Sequence, residues 1–201
     1  GKQKEALAAY EAIFVPLRDG KPGECSPRFY FTAQLQKAYC QMDLSHYSEA
    51  EKTLTDKQMP GLLPGLPLPS VYSYYFAIGN TCGNLKKYPE METALRQAIS
   101  LTVGKNQENE NQAWSWLMNW TKESKDWKKL MDLCKEAHES GMKRENFLLQ
   151  FLSMEFRAHG LLGVGEKDKA CQQAEKVLEY YREAKNQAKI KEWETFLAAN
   201  K

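Results

Sequence analysis

The chain has no apolar run approaching the roughly 18 residues that a membrane span needs, and no CxxC pair. Its five cysteines, Cys25, Cys40, Cys82, Cys134 and Cys171, are odd in number and widely dispersed. Such a set is no disulfide framework, and four of the five fall inside helical patterns, where a small buried hydrophobe serves. Structural thiols in a reducing compartment follow, which together with the lack of a leader favours the cytoplasm. Charge of one sign is also lacking. With 28 basic and 26 acidic residues the formal charge is +2, and interleaving such as Glu166-Lys167-Asp168-Lys169 describes solvated helix faces, not a nucleic-acid footprint. No Gly-rich phosphate loop, HExxH or GxSxG occurs, which leaves phosphoryl transfer, zinc-dependent proteolysis and the serine elbow without a motif.

What is present is a repeat. Leu85–Ala98 overlays Ser124–Ala137: an aromatic in the turn (Tyr88, Trp127) is followed three, seven and ten residues later by Met91, Leu95 and Ala98, or by Leu130, Cys134 and Ala137. These spacings describe one face of a helix. The first apolar position after each turn falls at Ala50, Met91, Leu130 and Ala170, which differ by 41, 39 and 40 residues. Twelve residues earlier stand Ala38, Gly79, Met118 and Ala158, three of them small, as a close helix crossing requires. Hydrophobic content of 42% suits a folded chain. A short helical repeat cannot bury its apolar face alone, so its neighbours must stack upon it.

In order, the pattern predicts a lone helix over 3–19, a turn-rich loop at Asp19–Gly23, and helix pairs over about 28–58, 71–101, 112–140 and 145–185. A capping helix over 186–200 presents Ile190, Trp193, Phe196 and Leu197. A first helix without a partner reads as a piece of a longer protein. Met59–Ser70 carries four prolines, which exclude a helix there. It reads as an ordered connector whose leucines pad an apolar edge, or as a docking segment, with Ser70 as the N-cap of the next helix. Gly104–Asn111 is a polar bridge whose Gln107–Asn111 end is able to extend the following helix. Gly141 reads as a C-terminal cap, Gly160 as closing a helix, and Gly163 and Gly165 as opening a turn. Cys134 and His138 stand four apart, as the start of a metal site would, but no second pair matches them. Consecutive aromatics at Phe29–Phe31, Tyr72–Phe76 and Trp114–Trp120 cannot all face one way, so some line the core and others face outward.

These residues resemble the tetratricopeptide repeat. Ile78, Gly79, Leu85, Tyr88, Leu95 and Ala98 in one copy, and Trp114, Leu117, Trp127, Cys134 and Ala137 in the next, match its pattern, over nearly the whole chain. The period of about 40 exceeds the family's roughly 34. The resemblance implies an all-α, right-handed superhelical solenoid of antiparallel helix pairs, one domain over 1–201 with a C-terminal capping helix. It implies a non-enzymatic scaffold or adaptor, without cofactor, that binds a protein or peptide in a concave groove lined by first helices. The implied groove residues are Leu35, Tyr39, Ser73, Phe76, Asn80, Asn84, Gln112, Ser115, Asn119, Lys122, Glu155 and His159. The family's carboxylate clamp is not expected, because the positions that would carry its cations hold Phe76, Ala77, Gln112 and Trp116. Two alternatives accompany this reading. One is a regulatory or assembly arm of a larger protein, with self-association possible in either case. The other, an RNA-binding repeat, needs a basic groove, and only Lys122 among these residues is basic.

Overall fold

Periodic apolar positions and short turns fold the chain into helices throughout. The computed structural model describes residues 2–18 and 26–200, the side chains of residues 13–18 excepted. The loop expected at Asp19–Gly23 and the thiol of Cys25 lie outside them. Among the described residues every regular element is a helix: α1 Lys2–Arg18, α2 Pro27–Asp43, α3 Tyr47–Leu54, α4 Met59–Leu62, α5 Leu68–Asn84, α6 Tyr88–Thr102, α7 Gln107–Glu123, α8 Trp127–Lys143, α9 Phe147–Gly163, α10 Lys167–Glu183 and α11 Gln187–Asn200. The chain divides into two compact units, 1–103 and 104–201.

The second unit shows a finer rule than the forty-residue period. Its helices begin at Gln107, Trp127, Phe147, Lys167 and Gln187, twenty residues apart. The first four are 17 residues long, about 25 Å each. Three residues separate successive helices, and the middle one has a positive φ: Lys125 (59°), Glu145 (53°), Gly165 (85°) and Lys185 (54°), as do Ser45 and Lys86 in the first unit. The residue after it donates its N–H five residues back, as Asn146 does to Gly141 and Asn186 to Tyr181. This closes each helix in the Schellman manner. Lysine holds this position in three of the six turns and glycine in one, so most of these turns carry no glycine signal.

In the first unit Phe31, Leu35, Ala38, Ala50, Leu54, Met59, Tyr74 and Ala77 form one buried cluster. Tyr74 donates its hydroxyl to Leu54 O at 3.0 Å and Tyr39 donates to Ser73 O at 3.1 Å, which satisfies both phenols inside the packing. The proline-rich segment departs from expectation. Met59–Leu62 is a single helical turn with Pro60 in its first positions, and α5 begins at Leu68 with Pro69 in its own first turn. The first turn's N–H groups have no intrahelical partner, so proline there loses nothing. Pro67, not Ser70, is the flanking residue. Leu62, Leu63 and Leu66 pack against the cluster, as a connector padding the core would.

In the second unit Phe151, Ala158, Ala174, Val177, Leu178, Trp193 and Leu197 form the core between α9, α10 and α11. Trp193 and Leu197 of the terminal helix are 1% and 7% exposed, so α11 covers α10 as a cap should. The most extensive pairing in this unit is α8 with α9, across the border drawn between repeats, rather than α7 with α8. The reason is glycine. A Cβ at Gly141 would come within 2.9 Å of Gln150 Cγ, at Gly160 within 2.8 Å of Met131 Sδ, and at Gly163 within 2.1 Å of the Trp127 indole. Gly141 and Gly160 lie inside helices, not at the ends read from the sequence, and Gly163 is the last residue of α9, directly before the turn. Gly79 of α5 plays the same part against Leu95 of α6, whose Cγ would lie 2.5 Å from an added Cβ. Substituting Gly163→Ala should therefore cost about 1–3 kcal/mol through overpacking. Gly61→Ala, where a Cβ meets nothing within 4 Å, should stay within about 0.5 kcal/mol. Denaturant melts of both, with a Gly163→Ala/Trp127→Leu double variant recovering part of the loss, check this.

Candidate binding cleft

The first turn of α7 builds one wall of a cleft. Asn106 caps this helix by accepting the N–H of Asn109 at 3.0 Å, so the helix starts at Gln107 and the polar bridge contributes a full turn. The other wall is the start of α9, capped by Asn146, whose Oδ1 accepts the N–H of Leu149 at 3.2 Å. Between them lies an open cleft of about 710 Å³, lined by Gln107, Glu108, Asn111, Gln112 and Ser115 from α7 and by Glu145, Asn146, Phe147, Leu148 and Leu152 from the turn and α9. This volume falls in the range of ligand-binding clefts.

The base of the cleft is polar and ordered. Asn146 Nδ2 donates to Asn111 Oδ1 at 2.8 Å, and the two asparagines are 2% and 6% exposed. Next to them Arg144 pairs with the buried Glu110 and also donates to Ser140. The lip is apolar and open to water, with Phe147 75% and Leu148 52% exposed. Large apolar side chains left this bare next to a concavity mark contact surfaces.

Of the residues expected to line a groove, Gln112 and Ser115 line this cleft. Asn119 and Lys122 lie further along α7, half-buried, with the Lys122 ammonium 5.8 Å from the Phe156 ring centre. Glu155 and His159 face inward. Glu155 accepts the Tyr181 hydroxyl at 2.9 Å and has Lys189 Nζ at 3.6 Å. His159 lies against Trp193 and Phe196, with ring centres 5.4 and 5.2 Å away. Helix α11 thus occupies the side of α9 that these two residues would have offered to a ligand. In the first unit Leu35 is buried in the core at 5% exposure and presents no groove surface. Tyr39 is tied to Ser73. Phe76 stacks on Tyr72 at 5.7 Å, and Asn84 donates to both the backbone and side-chain oxygens of Asn80. Asn80 thus holds its own helix.

Glu108, Asn111, Glu145, Asn146, Phe147, Leu148 and Leu152 were not anticipated. The available signal was Asn146 directly before Phe147-Leu148-Leu149, an N-cap followed by a run too apolar for one helix face. Two groups read from the sequence as the start of a metal site are occupied structurally. Burial pushes the Cys134 thiol up to about 12 and seats it 3.9 Å from Met118 Sδ, while His138 Nδ1 lies 3.1 Å from Ser153 Oγ. Among the described residues no three His, Cys, Asp or Glu side chains converge as a metal would require, and no helix is long and apolar enough to cross a membrane.

The inward His159 has a measurable consequence. Burial first, and then the charge of Lys122, lower its pKa to about 4, Glu192 opposing and Lys189 assisting. A histidine depressed from 6.5 is neutral in the fold and gains a proton on unfolding between these two values. Its contribution is therefore complete above pH 6.5 and fades as the pH falls toward 4. A shift of this size amounts to about 3 kcal/mol. Melting followed from pH 7 to 4 should show this loss, and His159→Gln should flatten it.

No protein-family model matches this chain, and no curated protein matches it, so the cleft is interpreted from its own chemistry.

Proposed function

We propose that this chain is a non-enzymatic helical-repeat module that binds an extended segment of another protein in the cleft between α7 and α9. The observation that carries this reading is the combination found there and in no other cleft described: bare Phe147 and Leu148 at the lip above a buried, ordered amide base. Aromatic and aliphatic anchors seated beside a fixed polar group are what peptide grooves use for affinity and register. Within each unit, first helices touch one another (α2 with α5, α7 with α9) as well as their partners. Such layering is what a tetratricopeptide-like stacking of helix pairs, its period stretched to forty, would require. A role as the assembly arm of a larger protein fits the same cleft.

Panning an unbiased phage-displayed peptide library on the immobilised chain tests the proposal. The wild type should enrich binders, and Phe147→Ser/Leu148→Ser, which alters exposed residues only, should weaken them at least tenfold with its melt unchanged. No enrichment on the wild type, or enrichment indifferent to the double variant, overturns it.

A further inference from the structure

The orientation of the Asn111 amide is not arbitrary. Asn146 Oδ1 is committed to the Leu149 N–H, so Asn146 meets its neighbour with Nδ2, and that neighbour must offer its oxygen. Asn111 therefore turns its own NH₂ away from Asn146. This residue is 6% exposed, lines the cleft, and its Nδ2 has no partner among the described residues. A cleft-lining residue thus keeps an NH₂ that its asparagine neighbour does not use.

The charge around those donors has one sign. Glu108 and Glu145 line the cleft, and no Lys, Arg or His does. Arg144, beside Glu145 in sequence, turns the other way and is neutralised by Glu110. The N-termini of α7 and α9 oppose the carboxylates with about half a positive charge each. Two full negative charges against about one positive leave the cleft acidic. A ligand carboxylate would satisfy the amide but meet this field unfavourably, whereas a backbone carbonyl satisfies the amide at no electrostatic cost.

Resting on the proposed peptide-binding reading, we infer that the occupant is a basic extended segment. One of its backbone carbonyls accepts from Asn111, an aliphatic or aromatic side chain lies against Phe147, Leu148 and Leu152, and flanking Lys or Arg residues face Glu108 and Glu145. Complementary charge of this kind governs partner choice and association rate.

Two fluorescein-labelled decapeptide pools decide the matter: one degenerate around [Lys/Arg]-x-[Leu/Phe]-x-[Lys/Arg], the other identical but with Asp/Glu at the charged positions. The chain should bind the basic pool at least tenfold more tightly by anisotropy, and the Asn111 side-chain NH₂ signals should move on titration. Glu108→Lys/Glu145→Lys should reverse the preference. Both sites are exposed, and lysine already stands at the turn position of Glu145 in three other turns, at Lys86, Lys125 and Lys185, so the fold accommodates it. Equal or tighter binding of the acidic pool, no effect of the reversal, or no binding of either pool overturns the inference. So does a dimer in sedimentation that Phe147→Ser dissociates, which would seat a second copy there. If the unbiased library still selects cleft binders of another composition, peptide binding stands and only the basic assignment falls.

Discussion

The contact on which the second unit depends is the close approach of α8 and α9 at three glycines. A glycine in a helix interior costs about 1 kcal/mol against alanine, so Gly141 and Gly160 together oppose helix formation by up to about 2 kcal/mol, and Gly163 ends α9. Packing offsets this cost: Trp127 lies flat on Gly163, Met131 fills the space over Gly160, and the Gln150 stem crosses Gly141. With α8 and α9 drawn together, the short turn between them is held in place. Its residues Arg144, Glu145 and Asn146 then reach three different surroundings, the buried Glu110, solvent at the cleft edge, and Asn111.

Those buried polar contacts serve position more than stability. The ion pair of Arg144 with Glu110 is withdrawn from water, and such pairs commonly recover no more than their desolvation. Glu110 Oε2 and Arg144 Nε are left without partners, so the pair is incompletely compensated. What it and the asparagine pair accomplish is to fix the start of α9 against the start of α7. A cleft between two helix ends would otherwise vary with every small slide of one helix along the other.

The helices were legible because burial imposes periodicity. Turn aromatics and small positions place the helices within about five residues of their observed limits, and the burial of Trp193 and Leu197 follows from the same spacing. Gly165 takes the left-handed turn position expected of it, whereas Gly141, Gly160, Pro60 and Pro69 depart from the pattern's reading for one common reason. Their effect depends on what lies opposite, and a linear pattern contains no opposite. Gly141 reads as a cap because it stands near a helix end, although the left-handed position belongs to Glu145. Pro60 and Pro69 read as breakers, although first-turn positions accept them. The expected groove residues separate in the same way. Gln112 lies on the cleft wall, a position that follows from helix face alone. Glu155 and His159 pack against α10 and α11, contacts that no spacing within α9 contains.

The equal spacing of helices bears on how such a chain is able to change length. In the second unit a helix begins every twenty residues, whereas the apolar pattern of the sequence returns every forty, so gaining or losing one twenty-residue segment would set each later buried stripe against the wrong neighbour. Two segments keep the pattern in step. A change of length that keeps the packing therefore comes in steps of forty residues, not twenty.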